Sequence, residues 1–224
     1  MKQAIARLSD KIRVMYDNIS KFIAENCSQD LVAWILGETG EFTLLKPTEL
    51  QVEPIRADSL ILLQSKDKTL HIEFQTDPQE AIPFRMVDYR VRLHRVDPNR
   101  DVYQVVIYLR KTKSPLAWKT TFDLPPLHHE YNVIRLWEVP TQELLTAPGL
   151  LPFAVLSQTD DPAGVLQQVA QRIGAIGDRT QQSNLAATTA VLAGLVLDTI
   201  VIRKLLREEI MRESVIYHGD SSHW

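Results

Sequence analysis

Residues 57–75 read ADSLILLQSKDKTLHIEFQ, and the fold turns on this stretch. Two apolar runs, Ala57 to Gln64 and Thr69 to Gln75, flank the polar segment Ser65 to Lys68, which predicts a β-hairpin. Strand side chains alternate between faces, so His71, Glu73 and Gln75 share one face while Ile72 and Phe74 occupy the other. Asp58 stands at the start of the first strand. One face of an otherwise apolar sheet is therefore polar. Burying Glu73 there costs several kcal/mol unless it meets a cation, a donor or a proton.

Working outward, Phe42 to Lys46 and Leu50 to Glu53 read as short strands separated by Pro47 and Pro54. Before them, Ile12, Met15, Ile19, Phe22, Ile23, Val32 and Ile35 recur at helical spacing. They predict two helices meeting near Ser28, a candidate cap, with a stop at Gly37. After the hairpin, Ala81 to Val96 is helical through Ile82, Met86, Tyr89 and Leu93, and Pro98 breaks it. Val102 to Leu109 reads as a buried strand, and Val133 to Val139 as another. A strand, a crossover helix and a further strand imply an α/β core. Beyond Pro140 the strand signal ends, and Gly164 to Ile173, Gln182 to Leu197 and Asp198 to Ser214 read as helices. The expected division is a core over 1–140, a helical extension over 141–218 and a disordered tail over 219–224.

The 224 residues are 45% hydrophobic and 24% charged, the make-up of a globular chain with a sizeable core. A formal net charge of −3 excludes a generally cationic binder of nucleic acid. Yet residues 81–113 hold eight Lys and Arg against three Asp, a local charge of +5. One cysteine, Cys27, excludes an internal disulfide and a zinc knuckle and points to the reducing cytoplasm. Residues 1–10 lack the apolar run of a signal peptide. Asp198 and three threonines interrupt the apolar stretch Leu185 to Ile202, which reads as a buried helix rather than a membrane span.

The chemistry centres on the hairpin. Asp58 and Glu73, on antiparallel neighbours, are placed to converge at one sheet end and hold Mg²⁺ or Mn²⁺ through hard oxygen ligands. His71 reads as a structural histidine rather than a ligand. Glu38 and Glu41, just before the first strand, are candidates for a third carboxylate. On the following helix Arg85, Tyr89 and Arg92 stand at i, i+4 and i+7 and share a face, from which Arg85 could clamp a phosphate. Arg85 could equally pair with Asp88. The adjacent His128 and His129 read as a loop. Ser157 and Cys27 have no histidine in sequence context, and no phosphate-cradling glycine motif occurs.

Ala57-Asp58, Glu73-Phe74-Gln75 and Pro83-Phe84-Arg85-Met86-Val87-Asp88-Tyr89, in this order of elements, resemble the PD-(D/E)xK nucleases. Within them the chain is most similar to the Rpn-type recombination-promoting nuclease and transposase-like proteins, cyanobacterial version. Gly149 to Phe153 and Arg212 to Tyr217 also look like that group's tail. The resemblance implies a restriction-endonuclease-like core and Mg²⁺-dependent cleavage of DNA. Asp58 and Glu73 would be the metal ligands, with Gln75 at the place of the motif lysine and Arg85, Tyr89 and Arg92 toward the DNA. Gln75 is a departure, because an amide carries no charge and accepts no proton near neutral pH. A second reading is a DNA-binding or protein-interaction module that kept the fold and lost turnover. A third is a homodimer built on Leu192, Leu195, Val196 and Ile200.

Overall fold

The computed structural model describes residues 19, 22–23, 25–45 and 60–207. Asp58, the expected strand at Leu50 to Glu53 and the tail 219–224 lie outside them. The chain divides into two compact units, residues 1–135 and 136–224.

The first unit is an α/β structure. Helix α1 (Ser28–Leu36) ends at Gly37, whose φ of 66° is left-handed and whose N–H bonds Ala33 O. That stop is as expected, whereas the helix starts after Cys27 without a side-chain cap, so Ser28 is its first residue and not its cap. Among the described residues, five strands form one mixed sheet in the order β1 (Thr43–Leu44), β2 (Leu60–Gln64), β3 (Lys68–Gln75), β4 (Asp101–Tyr108) and β7 (Asn132–Arg135). β2 and β3 are the expected antiparallel hairpin, with Ser65 N bonding Lys68 O across the turn at 2.9 Å. Helix α2 (Ile82–Val96) then crosses over to β4, which runs parallel to β3. Ile61, Leu63, Leu70, Ile72, Val105 and Ile107 are all buried, as a sheet covered on both sides requires.

Two findings depart from the sequence reading. The last strand of the sheet stops at Arg135, and Leu136–Glu138 is a 3₁₀ turn, so the expected strand over Val133 to Val139 is half strand and half turn. Between β4 and β7 lies an unexpected hairpin, β5 (Thr121–Leu124) with β6 (Leu127–Glu130), joined through Pro125 and Pro126. It contacts α2, where Phe122 meets Phe84 edge-on at 5.7 Å.

The described part of the second unit is helical apart from a single bridge between Pro140 and Gln158. Its main elements are α3 (Thr141–Leu144), α4 (Leu151–Ala154), α5 (Pro162–Gly174) and α6 (Arg179–Ala193). Asp161 caps α5 by accepting from Gly164 N at 2.9 Å. A Cβ at Gly164 would stand 2.2 Å from the Asp161 carboxylate, which would have to shift to admit a larger residue. Buried Gln182 donates to Gly174 O at 2.7 Å and Ile173 O at 3.2 Å, satisfying carbonyls that α5 leaves open at its end. α6 ends at Ala193, short of the expected Leu197. Of the residues expected to build a dimer contact, Leu192 is buried while Val196 and Ile200 are exposed. Among the described residues no helix is long and apolar enough to cross a membrane.

Candidate functional site

Parallel register carries the alternation of β3 across the sheet. His71 pairs with Gln104, Glu73 with Val106 and Gln75 with Tyr108, and Tyr108 pairs in turn with Arg135. These residues share the face that α2 covers, where Leu62, Tyr89 and Leu93 form a core cluster. The polar face is thus buried, with Glu73 at 3% and Gln75 at 7% exposure and His71 fully enclosed.

Three of the expected residues meet. Gln75 Nε2 donates to Glu73 Oε1 at 2.7 Å, and the Arg85 guanidinium contacts the same oxygen. Arg85 therefore pairs with Glu73 and not with Asp88, which is held by Arg92 at 3.0 Å. Glu73 Oε2 and Arg85 Nε are buried and have no hydrogen-bond partner among the described residues. Burial pushes the Glu73 carboxyl above its ordinary range, against Arg85 and Gln75, which pull it down. The other two helix residues lie apart from this corner. Tyr89 is buried with its ring edge-on to His71 at 4.9 Å. Arg92, seven residues beyond Arg85, is about 10 Å further along the helix. Glu73 faces Leu60 across the hairpin. Asp58, two residues earlier in the chain, lies outside the described residues.

The remaining candidates sort by position. Glu38 pairs with Lys68 at the start of β3, the end of the strand away from Glu73, so it supplies no third carboxylate. Glu41 precedes β1, whose Thr43 pairs with Gln64 at the turn end of the hairpin. His128 and His129 lie on β6 rather than in a loop, and point to opposite sides as strand neighbours do. His128 bonds Asp123 at 2.5 Å and Glu130 at 3.0 Å, while His129 stacks on Tyr131 with centroids 6.4 Å apart. Ser157 bonds Thr141 and Ala154 O, and burial pushes the Cys27 thiol up to about 11, so neither is an activated nucleophile.

The sequence reading missed Gln104. Its Nε2 lies 2.8 Å from both Met86 O and His71 Nδ1. Burial, reinforced by the Arg85 charge, lowers the His71 pKa to about 3. The histidine therefore stays neutral near pH 7.

The local charge of +5 is also redistributed. Arg85, Arg92, Arg100 and Arg110 are engaged by Glu73, Asp88, Asp97 and Asp77. The exposed cations left in that window are Arg95, Lys111 and Lys113. An open cleft of about 530 Å³, lined by Leu36, Lys68, Arg90, Asp101 and Tyr103 among others, lies at the opposite strand ends. Seven strand residues separate Lys68 from Gln75, about 23 Å, so this cleft is distinct from the Glu73 corner.

The corner's fit to a divalent metal rests on its donors. Glu73 Oε2 is a hard oxygen with no protein partner among the described residues, the ligand type that Mg²⁺ and Mn²⁺ take. Among the described residues no group of three or more His, Cys, Asp and Glu side chains is arranged to hold a metal. A complete site needs a further carboxylate, for which Asp58 is the candidate. Compared with protein-family models, curated proteins and solved structures, the chain finds no match.

Proposed function

We propose that the α/β unit is a restriction-endonuclease-like core of the PD-(D/E)xK type, Rpn-like in its motifs, and that the chain hydrolyses phosphodiester bonds in DNA with Mg²⁺ or Mn²⁺. The observation that carries this reading is the buried carboxylate of Glu73, with one oxygen held by Gln75 and Arg85 and the other unclaimed. A divalent cation held by Glu73 and Asp58 supplies charge neutralisation at a phosphate and lowers the pKa of a water. Gln75 fixes the Glu73 rotamer through its amide N–H and keeps its carbonyl oxygen to orient a water. Arg85, whose side chain is 35% exposed, contacts Glu73 and is within reach of solvent and of a phosphate oxygen. His71, with its pKa lowered to about 3, and the Gln75 amide are poor proton acceptors, so a proton released by a metal-bound water would go to solvent.

A second reading is supported by the Arg85 contact itself. A guanidinium and an amide already satisfy one Glu73 oxygen, and that charge compensation resembles what a metal would provide. On this reading the corner is structural and the unit is a non-catalytic binding module. Supercoiled plasmid incubated with either metal separates the two. Nicking that is lost in Glu73→Gln and retained in Arg95→Gln supports the nuclease. DNA binding without nicking under every metal supports the module.

A further inference from the structure

Of the exposed cations that those ion pairs leave over, Arg95 lies on α2 while Lys111 and Lys113 lie in one loop. Residues 109–122 carry Arg110, Lys111, Lys113 and Lys119 and no acid. The loop starts at the Glu73 corner, because Leu109 N bonds Gln75 O at 2.8 Å and Arg110 contacts Asp77 in the segment leading to α2. With Asp77 engaged by Arg110 and Asp123 by His128, Lys111, Lys113 and Lys119 remain as exposed cations on a chain whose net charge is −3.

Two aromatic rings stand exposed around this loop. Phe84, 58% exposed, immediately precedes Arg85 in the first turn of α2. Trp118, 45% exposed, ends the loop's 3₁₀ turn, with the Arg135 guanidinium 5.3 Å from its ring centroid. Arg135 is in the same row of the sheet as Gln75, two strands away, a span of about 10 Å. Exposed rings beside lysines are how proteins hold unpaired bases, since every base has a face to stack and every linkage a phosphate. A duplex shows phosphates but no base faces. The lysines alone would serve either form, and the rings favour the strand.

Building on the nuclease reading, we infer that the loop 109–120 with Phe84 and Trp118 is a binding surface for single-stranded nucleic acid leading to the Glu73 corner. Lys111, Lys113 and Lys119 contact phosphates, and the two rings stack on bases. Nothing in these contacts reads the sugar, so DNA and RNA strands of one sequence are compared directly.

The test is fluorescence anisotropy of labelled 12-residue DNA and RNA strands, and of the DNA duplex, with the full chain and a chelator present so that cleavage does not intervene. Phe84→Leu with Trp118→Leu is expected to weaken strand binding about tenfold and to leave the duplex unchanged. Changing the three lysines to Gln should flatten the dependence of log affinity on log salt by about 2 for the strand. Thermal melting confirms that each variant is folded. Equal weakening of strand and duplex by the Leu variants, or an unchanged salt slope in the Gln variant, overturns the inference. Cleavage assayed separately keeps the two proposals apart. Metal-dependent nicking of duplex without ring-dependent strand binding sinks the surface and leaves the nuclease. Ring-dependent binding without nicking does the reverse.

Discussion

Gln104 Nε2 stands 2.8 Å from His71 Nδ1 and 2.8 Å from Met86 O, so one amide ties β4, β3 and α2 together. Met86 O can only accept, which fixes the amide nitrogen on that side and makes His71 Nδ1 an acceptor. The ring proton is therefore on Nε2. This arrangement sets the height of α2 one residue from Arg85, and with it the contact on Glu73.

His71 should consequently hold one neutral tautomer across the whole range from pH 8 to about pH 4, read from its imidazole nitrogen shifts. Its folded pKa of about 3 lies below the ordinary value near 6.5. The unfolded chain takes up this proton first as pH falls. The stability His71 contributes is thus complete above about pH 6.5 and declines from there down to about pH 3. A Gln104→Leu chain, with Nδ1 unconstrained, should show mixed tautomers. The single Nε2–H form in that variant would remove Gln104 from this role.

Arg85→Met should destabilise the fold by about 1–2 kcal/mol near neutral pH. That is less than for a fully enclosed ion pair, because the Arg85 side chain is 35% exposed and solvent screens it. The sign of the pH response is specific. Burial already raises the Glu73 pKa, and losing Arg85 raises it further, so the folded variant binds a proton more readily than its unfolded chain. Its deficit should shrink as pH falls toward about 5. Glu73→Gln in the same chain should remove most of the deficit, as urea titrations at both pH values would show.

His128 has carboxylates at both ring nitrogens, and both contacts are hydrogen bonds only when the ring is protonated. Bonds to Glu130 and Asp123 raise its pKa. Whatever stability the contact gives is present below the ordinary histidine value and fades as pH rises through the raised one. Titration of the His128 ring should show a midpoint above that of an ordinary histidine, and Asp123→Asn should lower it. An unmoved midpoint in that variant would mean that the pair is not formed in solution.

The β2–β3 hairpin, α2 and β4 were legible because each is a long run with one clear period. The polar face of His71, Glu73 and Gln75 followed from the two-residue repeat alone. The β5–β6 hairpin was hidden because Pro125, Pro126, His128, His129 and Glu130 break any apolar alternation. Val133 to Val139 is apolar at five of seven positions, yet Leu136 turns away where the pairing with β4 stops at Tyr108. Gln104 reads as one polar interruption in an apolar strand. Its part depends on parallel register with His71, which no local pattern encodes. Two of the five net charges of the basic window are offset by Glu73 and Asp77, residues outside it in sequence.

Hydrolysis, as proposed, depends on a metal held by Glu73 with Asp58. The most direct measurement is the rate of plasmid nicking as Mn²⁺ is raised, in the parent chain beside Glu73→Gln and Asp58→Asn. Saturable metal dependence is expected in the parent and a loss of at least about a hundredfold in each variant, both remaining folded. Nicking that persists in both variants, at the parent's rate and with the parent's metal dependence, would contradict it.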